Sequence, residues 1–569
     1  MKKILEKILV HKTIVKKIAI IIGTIFIIGI IAFNAVLNSV KKVDTSKTRV
    51  VINNRNVTLK NEAYIDGEII YLSKQDIKNF FDKYIYEEET TNKIITTYGR
   101  KIAEIGYDSN VAKINGSQKT ILTTVKKVGD VIYIPISELK EVYDVEMEYI
   151  AGENIVTIDS LSKSKRTTIA KKNLNIKSQP KDLCSTLDKV KKGESLVYVL
   201  ETKDGWSKVR TEKGIVGYVK TSKLKDITYV REDMNVEKQI EGKVNMFWDY
   251  FSESGKAPNR EGESYDGVNA VSPAFFYIDE NGDFAENVGT AGKNYISWAH
   301  ENGYKVWPML SNALAGIDVT SEILNDYEKR QNLIEDIIKA CVEYGIDGIN
   351  VDFENMKKED INVYSRFIIE LEPRLKEIGL VLSVDVTAPD GSETWSFCYD
   401  RLVLGEVADY LIFMAYDQNG TGSKEAGTVA GYNWIETSVK KFVTTYEVEP
   451  EKLILGLPFY TRIWTLDSDG NLEGSAVVNM KDVEKNIPAG VEKEWNDTLK
   501  QNYVEFTSRK NTKKMWIEDL ESIKAKLNLV KEYNLGGVAA WEKDREDEGV
   551  WDLIKTELKN NEPNENVEE

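Results

Sequence analysis

The chain has 569 residues, a formal net charge of −16, and 42% hydrophobic and 30% charged residues. That length exceeds one compact domain and predicts about three or four; the net negative charge without a strongly basic domain argues against a nucleic acid partner. Only two histidines, His11 and His300, and three scattered cysteines, Cys184, Cys341 and Cys398, are present, which speaks against a zinc hydrolase, a Ser-His-Asp hydrolase and a disulfide framework. His300, in Trp298-Ala299-His300-Glu301, reads as a structural residue at a helix end, and Cys341 as core.

Residues 1–17 form a basic segment carrying Lys2, Lys3, Lys7, Lys12, Lys16 and Lys17. Residues 18–37 follow as 20 residues without a charge, IAIIIGTIFIIGIIAFNAVL. About 20 apolar residues span a bilayer as a helix. The preceding lysines predict a cytoplasmic N-terminus and an exported remainder. The run is longer than a signal-peptide core and lacks a clean Ala-x-Ala site, so an uncleaved membrane anchor over residues 18–40 is expected rather than a cleaved signal.

From residue 49 to 160 short alternating segments dominate, such as Ile69-Ile70-Tyr71-Leu72 and Ile155-Val156-Thr157-Ile158, with helical patterns over 73–84 and 137–143. They predict a small α+β domain. Its strand–"YIPISEL"–helix pattern resembles the repeat domain named for the N-terminus of copper amine oxidases, which is common in exported bacterial wall proteins. The segment holds no histidine and no cysteine, so copper ligands are missing and a stalk or wall-contact role is expected. Residues 163–228 carry "LNIKSQP", "VKKGESLVYV" and "DGWSKVRTEKGIVGYV". These resemble a bacterial SH3-type domain, a family that commonly binds peptidoglycan peptides; a packing module without a ligand is the alternative.

Between 240 and 558 the pattern changes to strand–helix alternation. Apolar strands read at 244–248, 274–277, 306–310, 348–353, 381–385, 410–414, 453–457 and 537–541, and helices over 327–344 and 363–378. Eight strands with helices between them predict an α/β fold, a TIM (β/α)8 barrel. The stretch between 457 and 537 exceeds one helix and predicts a small inserted α+β subdomain that includes 478–509. Residues 559–569 read as a disordered acidic tail.

The chemistry concentrates in Asp347-Gly348-Ile349-Asn350-Val351-Asp352-Phe353-Glu354. Side chains alternate across a strand, so Asn350, Asp352 and Glu354 share one face. Two close carboxylates do not both ionise cheaply, and one tends to keep a proton at neutral pH. A protonated carboxyl beside an ionised one suits glycosidic bond cleavage; acids at a strand end are also often loop caps. Barrel active sites lie at the C-terminal strand ends. Met414-Ala415-Tyr416-Asp417 ends the sixth strand, Trp541 the eighth, and Trp248 and Asp249 the first.

The "DGINVDFE" run resembles the DxxDxDxE motif of glycoside hydrolase family 18, with "MAYD" at 414–417, "SPAFFY" at 272–277 and the terminal "GGVAAWEKDREDEGVW" in support. Within that family it is similar to the spore-germination and cortex-lytic branch. The resemblance implies Glu354 as general acid and then base, and Asp352 as the residue that orients the substrate's acetamido group. It implies that Tyr416 donates to that group and that Asp417 positions the same region, with Asp347 supporting from behind. The acetamido oxygen replaces an enzyme nucleophile, so the two-carboxylate spacing rule does not apply. Neither metal nor cofactor is implied. Asn350, Met414, Trp541 and Trp248 complete the expected substrate-binding set.

Asn350 departs from the family, which commonly has an aspartate there. Trp541 reads as a sugar platform, while Trp248 and Trp464 read equally as platform or core. Asp385 reads as cleft lining or a loop cap, Asp544 and Arg545 as a surface pair, and Lys357-Lys358-Glu359-Asp360 as a solvated face. The expected partners are cell-wall peptidoglycan, chitin-type oligomers in a rival reading, and the membrane. A non-catalytic wall-glycan-binding protein is the rival of another class.

Overall fold

The computed structural model describes residues 2–41, 45–202, 204–232 and 239–559; the acidic tail expectation after Lys559 lies outside them. A single helix, Lys2–Asn38, opens the chain. Its stretch His11–Asn38, 28 residues of mean hydropathy 2.7, is exposed over nearly all its length and is long and apolar enough to cross a membrane. The helix end is received by the SH3-like unit. The Leu37 carbonyl accepts from Thr186 Oγ1 at 2.8 Å and Lys177 Nζ at 3.4 Å, which satisfies an orphan C-terminal carbonyl with a cation, as the helix dipole favours.

The next unit closes on itself, because its first strand, Arg49–Ile52, pairs in parallel with its last, Ile155–Ser160. Two four-stranded sheets and one five-stranded sheet surround an Ile/Val core. Its one α-helix, Lys74–Phe80, starts at Ser73, whose side chain accepts the Asp76 N–H. The helix expected over 137–143 is only a 3-10 turn, Ile136–Leu139, since four residues are too few for an i→i−4 ladder.

The SH3-like unit is a seven-stranded antiparallel sheet running from Lys165–Ile169 to Thr228–Arg231. A buried ion pair, Arg210 Nη1 to Asp159 Oδ1 at 2.8 Å, ties it to the preceding unit. That preceding unit in turn sits on two outer barrel helices, Tyr327–Tyr344 and Ile361–Glu377. Tyr86 donates to Glu370 at 2.9 Å, and Arg366 donates to the Tyr84 carbonyl at 2.8 Å.

The remainder is a parallel barrel of eight positions. The first strand, Val244–Asp249, pairs with Ala270–Pro273 on one side and Gly537–Trp541 on the other. The second position is split into Ala270–Pro273 and Phe276–Ile278, and the third into Lys305–Val306 and Met309–Ser311. Gly348–Asp352, Val381–Val386, Tyr410–Phe413 and Leu453–Pro458 follow in order. Leu453–Pro458 pairs with Gly537–Trp541, so the sheet closes. The closure requires a glycine at 537: φ is +150°, and a Cβ there would run into the Val244 carbonyl.

The second strand begins earlier than its sequence pattern suggests, because Ser272 and Pro273 look like a loop yet pair in register with Trp248 and Asp249. The insertion between the last two strands also differs from expectation. Ahead of the α-helix Leu520–Glu532 it is a five-stranded antiparallel sheet, Tyr460–Trp516, whose helical pieces are short 3-10 turns. Alternation of its half-exposed strands hides the sheet behind charged residues.

Outer helices hold the fourth strand in place. Tyr327–Tyr344 is capped by Asp326, which accepts the Lys329 N–H, and ends at Gly345 with φ of 61°. Leu333, Ile334, Ile337, Ala340 and Cys341 form its buried stripe. Phe353 points outward from the strand and stacks on Phe367 of the other helix, with centroids 5.6 Å apart. Burying such a ring contributes about 1.5–3 kcal/mol. By alternation, the same packing turns Asn350 and Asp352 inward.

Candidate active site

Glu354 follows the fourth strand at its C-terminal end, and Asn312, just past the third strand, fixes its backbone. Asn312 Oδ1 accepts the Glu354 N–H at 2.8 Å, and Nδ2 donates to the Glu354 carbonyl at 2.9 Å. Tyr399 donates to the neighbouring Phe353 carbonyl at 2.8 Å. The chain then turns at Asn355 with φ of 52°, a conformation asparagine tolerates.

Below this lies a buried polar network. Asn350 is fully buried. Its Oδ1 accepts from Trp248 Nε1 at 2.8 Å and Ser272 Oγ at 3.2 Å, and its Nδ2 donates to Asp385 Oδ1 at 2.8 Å. Asp352 Oδ1, Asp385 Oδ2 and the Tyr416 hydroxyl are buried without a hydrogen-bond partner in the protein. Unpaired buried polar atoms are costly, so this cluster is the least satisfied polar part of the barrel end that carries Glu354.

Burial pushes the Asp352 carboxyl up to about 7. Glu354 is driven well above the ordinary glutamate range by burial, then by the charges of Asp352 and Asp417. Asp385 is raised by burial and by Asp352, against the bond from Asn350. None of the three makes an ion pair among the described residues. The shift at Glu354 is toward the protonated form that a general acid requires.

Aromatic rings wall the mouth. Trp541, partly exposed, meets Trp248 and Tyr250, each with centroids 5.8 Å away. Tyr416 lies edge-on to Trp248 at 6.4 Å and to Tyr460 at 6.3 Å. Asp417, with φ of 55°, accepts from the Tyr460 hydroxyl at 2.6 Å. Met414 is buried beside them. Among the described residues, no group of three or more His, Cys, Asp or Glu is arranged to hold a metal ion.

Several expected site residues lie elsewhere. Asp347 precedes the fourth strand at the barrel's opposite end. It accepts from His300, Lys305 and the Val306 N–H, and so ties the start of the fourth strand to the third. Asn350 and Trp248 are buried beneath the mouth and bonded to each other. Trp464 is core, donating to the Gly427 carbonyl. Asp385 neither lines the cleft nor caps a loop; it is buried beside Asn350. Asp249 is held by Arg260 at 2.9 and 3.0 Å and by Tyr295 at 3.0 Å.

Asp544 and Arg545 do not pair with each other. Asp544 bonds Arg260, and Arg545 bonds Glu542. Asn312 and Tyr250 escaped the sequence reading. The only signal for either was a polar or aromatic residue directly after a strand.

A closed parallel barrel with carboxyls of raised pKa and aromatic rings at its strand ends is an arrangement that suits glycosidic bond cleavage. The chain belongs to the glycosyl hydrolases family 18, whose model matches residues 243–546, more than half of its length. Residues 51–158 match the copper amine oxidase N-terminal domain and 172–225 the bacterial SH3 domain. The barrel region is similar to the uncharacterized glycosylase YvbX of Bacillus subtilis (strain 168). The two are 28% identical over 300 residues, 51% of this chain and 84% of that protein. The cortical fragment-lytic enzyme of the same organism is 27% identical over 225 residues, 38% of this chain and only 51% of the enzyme's own length. Among solved structures, the spore cortex-lytic enzyme SleL of Bacillus megaterium QM B1551 aligns with a TM-score of 0.48 at 20% identity. That alignment covers 64% of this chain and 88% of that one.

Proposed function

We propose that the protein hydrolyses β-1,4 bonds next to N-acetylglucosamine in cell-wall peptidoglycan, with retention and through the substrate's own acetamido group. The carrying observation is the pair of unsatisfied buried atoms beside Glu354: Asp352 Oδ1, an acceptor, and the Tyr416 hydroxyl, a donor. An acetamide offers the complementary N–H and C=O. Held between them, its oxygen attacks the anomeric carbon as the bond to the leaving oxygen breaks and Glu354 protonates that oxygen. Water then opens the oxazolinium, giving its proton to Glu354. Trp541 stacks on the sugar face, with Met414 and Asp417 shaping the pocket.

The apolar helix supports a membrane-anchored enzyme with its N-terminus inside and its barrel at the wall; the similarity to a cortical fragment-lytic enzyme supports a peptidoglycan-type substrate. The test is product analysis of the chain with purified peptidoglycan and with chitin oligomers, beside Glu354→Gln. Reducing ends from peptidoglycan that disappear in the variant support the proposal. Products from chitin alone favour a chito-oligosaccharide hydrolase. Sugar binding with no product from either favours a wall-binding protein.

A further inference from the structure

Position 350 holds an amide where the family resemblance leads one to expect a carboxylate, and the structure shows where a second buried carboxyl stands instead. Trp248 Nε1 can only donate, so the Asn350 atom it meets at 2.8 Å must be Oδ1. That fixes the amide orientation and forces Nδ2 toward the next strand, where it meets Asp385 Oδ1. The parallel register pairs Asn350 with Ser383 and Val351 with Val384. One step on, it sets Asp352 beside Asp385, on strands about 4.8 Å apart. Val351 and Val384 face outward into the core, so both carboxyls face the barrel interior. Each keeps one buried oxygen with no partner in the protein.

We propose that Asp385 is the positioning residue for Asp352, acting as its proton-sharing partner from the neighbouring strand, with Asn350 as the strut that aims it. This rests on the reading of Asp352 as the residue that orients the acetamide. At rest the two carboxyls share one proton. As positive charge grows on the oxazolinium, the O–H bond on Asp352 breaks and one forms on Asp385 Oδ2. Total charge is unchanged, and the negative charge now lies next to the acetamide. The groups facing Asp385 are Asp352 on the fourth strand, Glu354 just after it, Tyr416 after the sixth, and Tyr364 on the outer helix, with Asn350 and Trp248 as donors.

The experiment compares the full chain with Asp385→Asn, Asn350→Asp and the double variant Asn350→Asp/Asp385→Asn. It reads kcat and KM against pH on the glycan that the wild type cleaves. It also reads carboxyl protonation against pH by infrared difference spectroscopy. Asp385→Asn is expected to lower kcat about 10²-fold with little change in KM, and to move the alkaline limb of the profile to lower pH. Moving the carboxyl back across the strands in the double variant is expected to restore kcat to within about tenfold of wild type. Wild-type kcat and pH profile in Asp385→Asn, or a double variant no better than it, overturns the proposal. A wild type that cleaves no glycan sinks the hydrolase reading alone. The infrared titration then decides the pairing: two carboxyl steps that collapse to one in Asp385→Asn support it, and an unchanged titration overturns it.

Discussion

Asn312 grips the Glu354 peptide from both sides, accepting its N–H at 2.8 Å and donating to its carbonyl at 2.9 Å. Asn312 is itself braced by Thr320 Oγ1 at 3.1 Å. A loop residue thus places the acid with strand-like rigidity. Asn312→Ala leaves two backbone groups without partners, at about 1–3 kcal/mol each. The expected outcome is a lower melting temperature and a kcat reduced about tenfold or more with KM nearly unchanged. Steady-state kinetics and calorimetry check both.

Tyr416→Phe separates stability from function. The hydroxyl is buried with no protein partner, so its removal stabilises the empty enzyme by about 1 kcal/mol. The same change removes the donor proposed for the acetamide and is expected to lower kcat about 10²–10³-fold. A variant that is both less stable and fully active would contradict this role.

The Asp352 carboxyl, pushed up to about 7 from an ordinary 3.8, makes stability fall with rising pH. Between those values the unfolded chain has released the proton while the folded chain keeps it. The contribution is therefore whole below the ordinary value and is lost as pH rises through about 7. Asp352→Asn carries no such proton. Its melting temperature is expected to gain on wild type from pH 4 to pH 8, the difference reaching a few kcal/mol, as estimated from roughly 1.4 kcal/mol per pH unit. Scanning calorimetry across that range tests the sign.

Trp541 is partly exposed at the mouth, and Tyr250, exposed beside it, extends the same wall. Trp541→Ala is expected to raise KM about tenfold, equivalent to roughly 1.4 kcal/mol of lost binding, with a smaller effect on kcat. Tyr250→Ala is expected to act in the same direction and more weakly. Kinetics on a soluble oligosaccharide distinguish the two parameters.

Glu370 is the buried hub between the barrel and the unit seated on it. It accepts from Arg330 Nε at 2.9 Å, Gln331 Nε2 at 2.8 Å and the Tyr86 hydroxyl at 2.9 Å. Glu370→Ala strands the Arg330 charge in the interior and is expected to cost about 3–5 kcal/mol. Tyr86→Phe removes one neutral donor and is expected to cost about 1 kcal/mol. Denaturant unfolding of both variants measures the contrast.

The strand that carries Asp352 and Glu354 was legible because its cue is local: an apolar run with acids at every second position. The barrel's alternation and the apolar helix were legible for the same reason. Asn312 was not, since nothing in Ser311-Asn312-Ala313 says which peptide the amide will meet 42 residues later. Trp248 and Trp464 read equally as sugar platform or core, because a tryptophan near a strand end reads the same whether it faces solvent or core. The inserted sheet was obscured because its strands are half exposed and rich in charge, which weakens the alternation signal.

Taken alone, the sequence determined the order of the units, the membrane-length helix, the eight-strand pattern and the acidic motif, all of which depend on composition and period. Tertiary structure decided which groups meet. It set Asp385 beside Asn350 across two strands, sent Asp347 to the far end of the barrel, buried Trp248 beneath the mouth and paired Asp544 with Arg260. Those outcomes follow from strand register and barrel closure, which bring together residues tens to hundreds of positions apart and leave no trace in any short window of sequence.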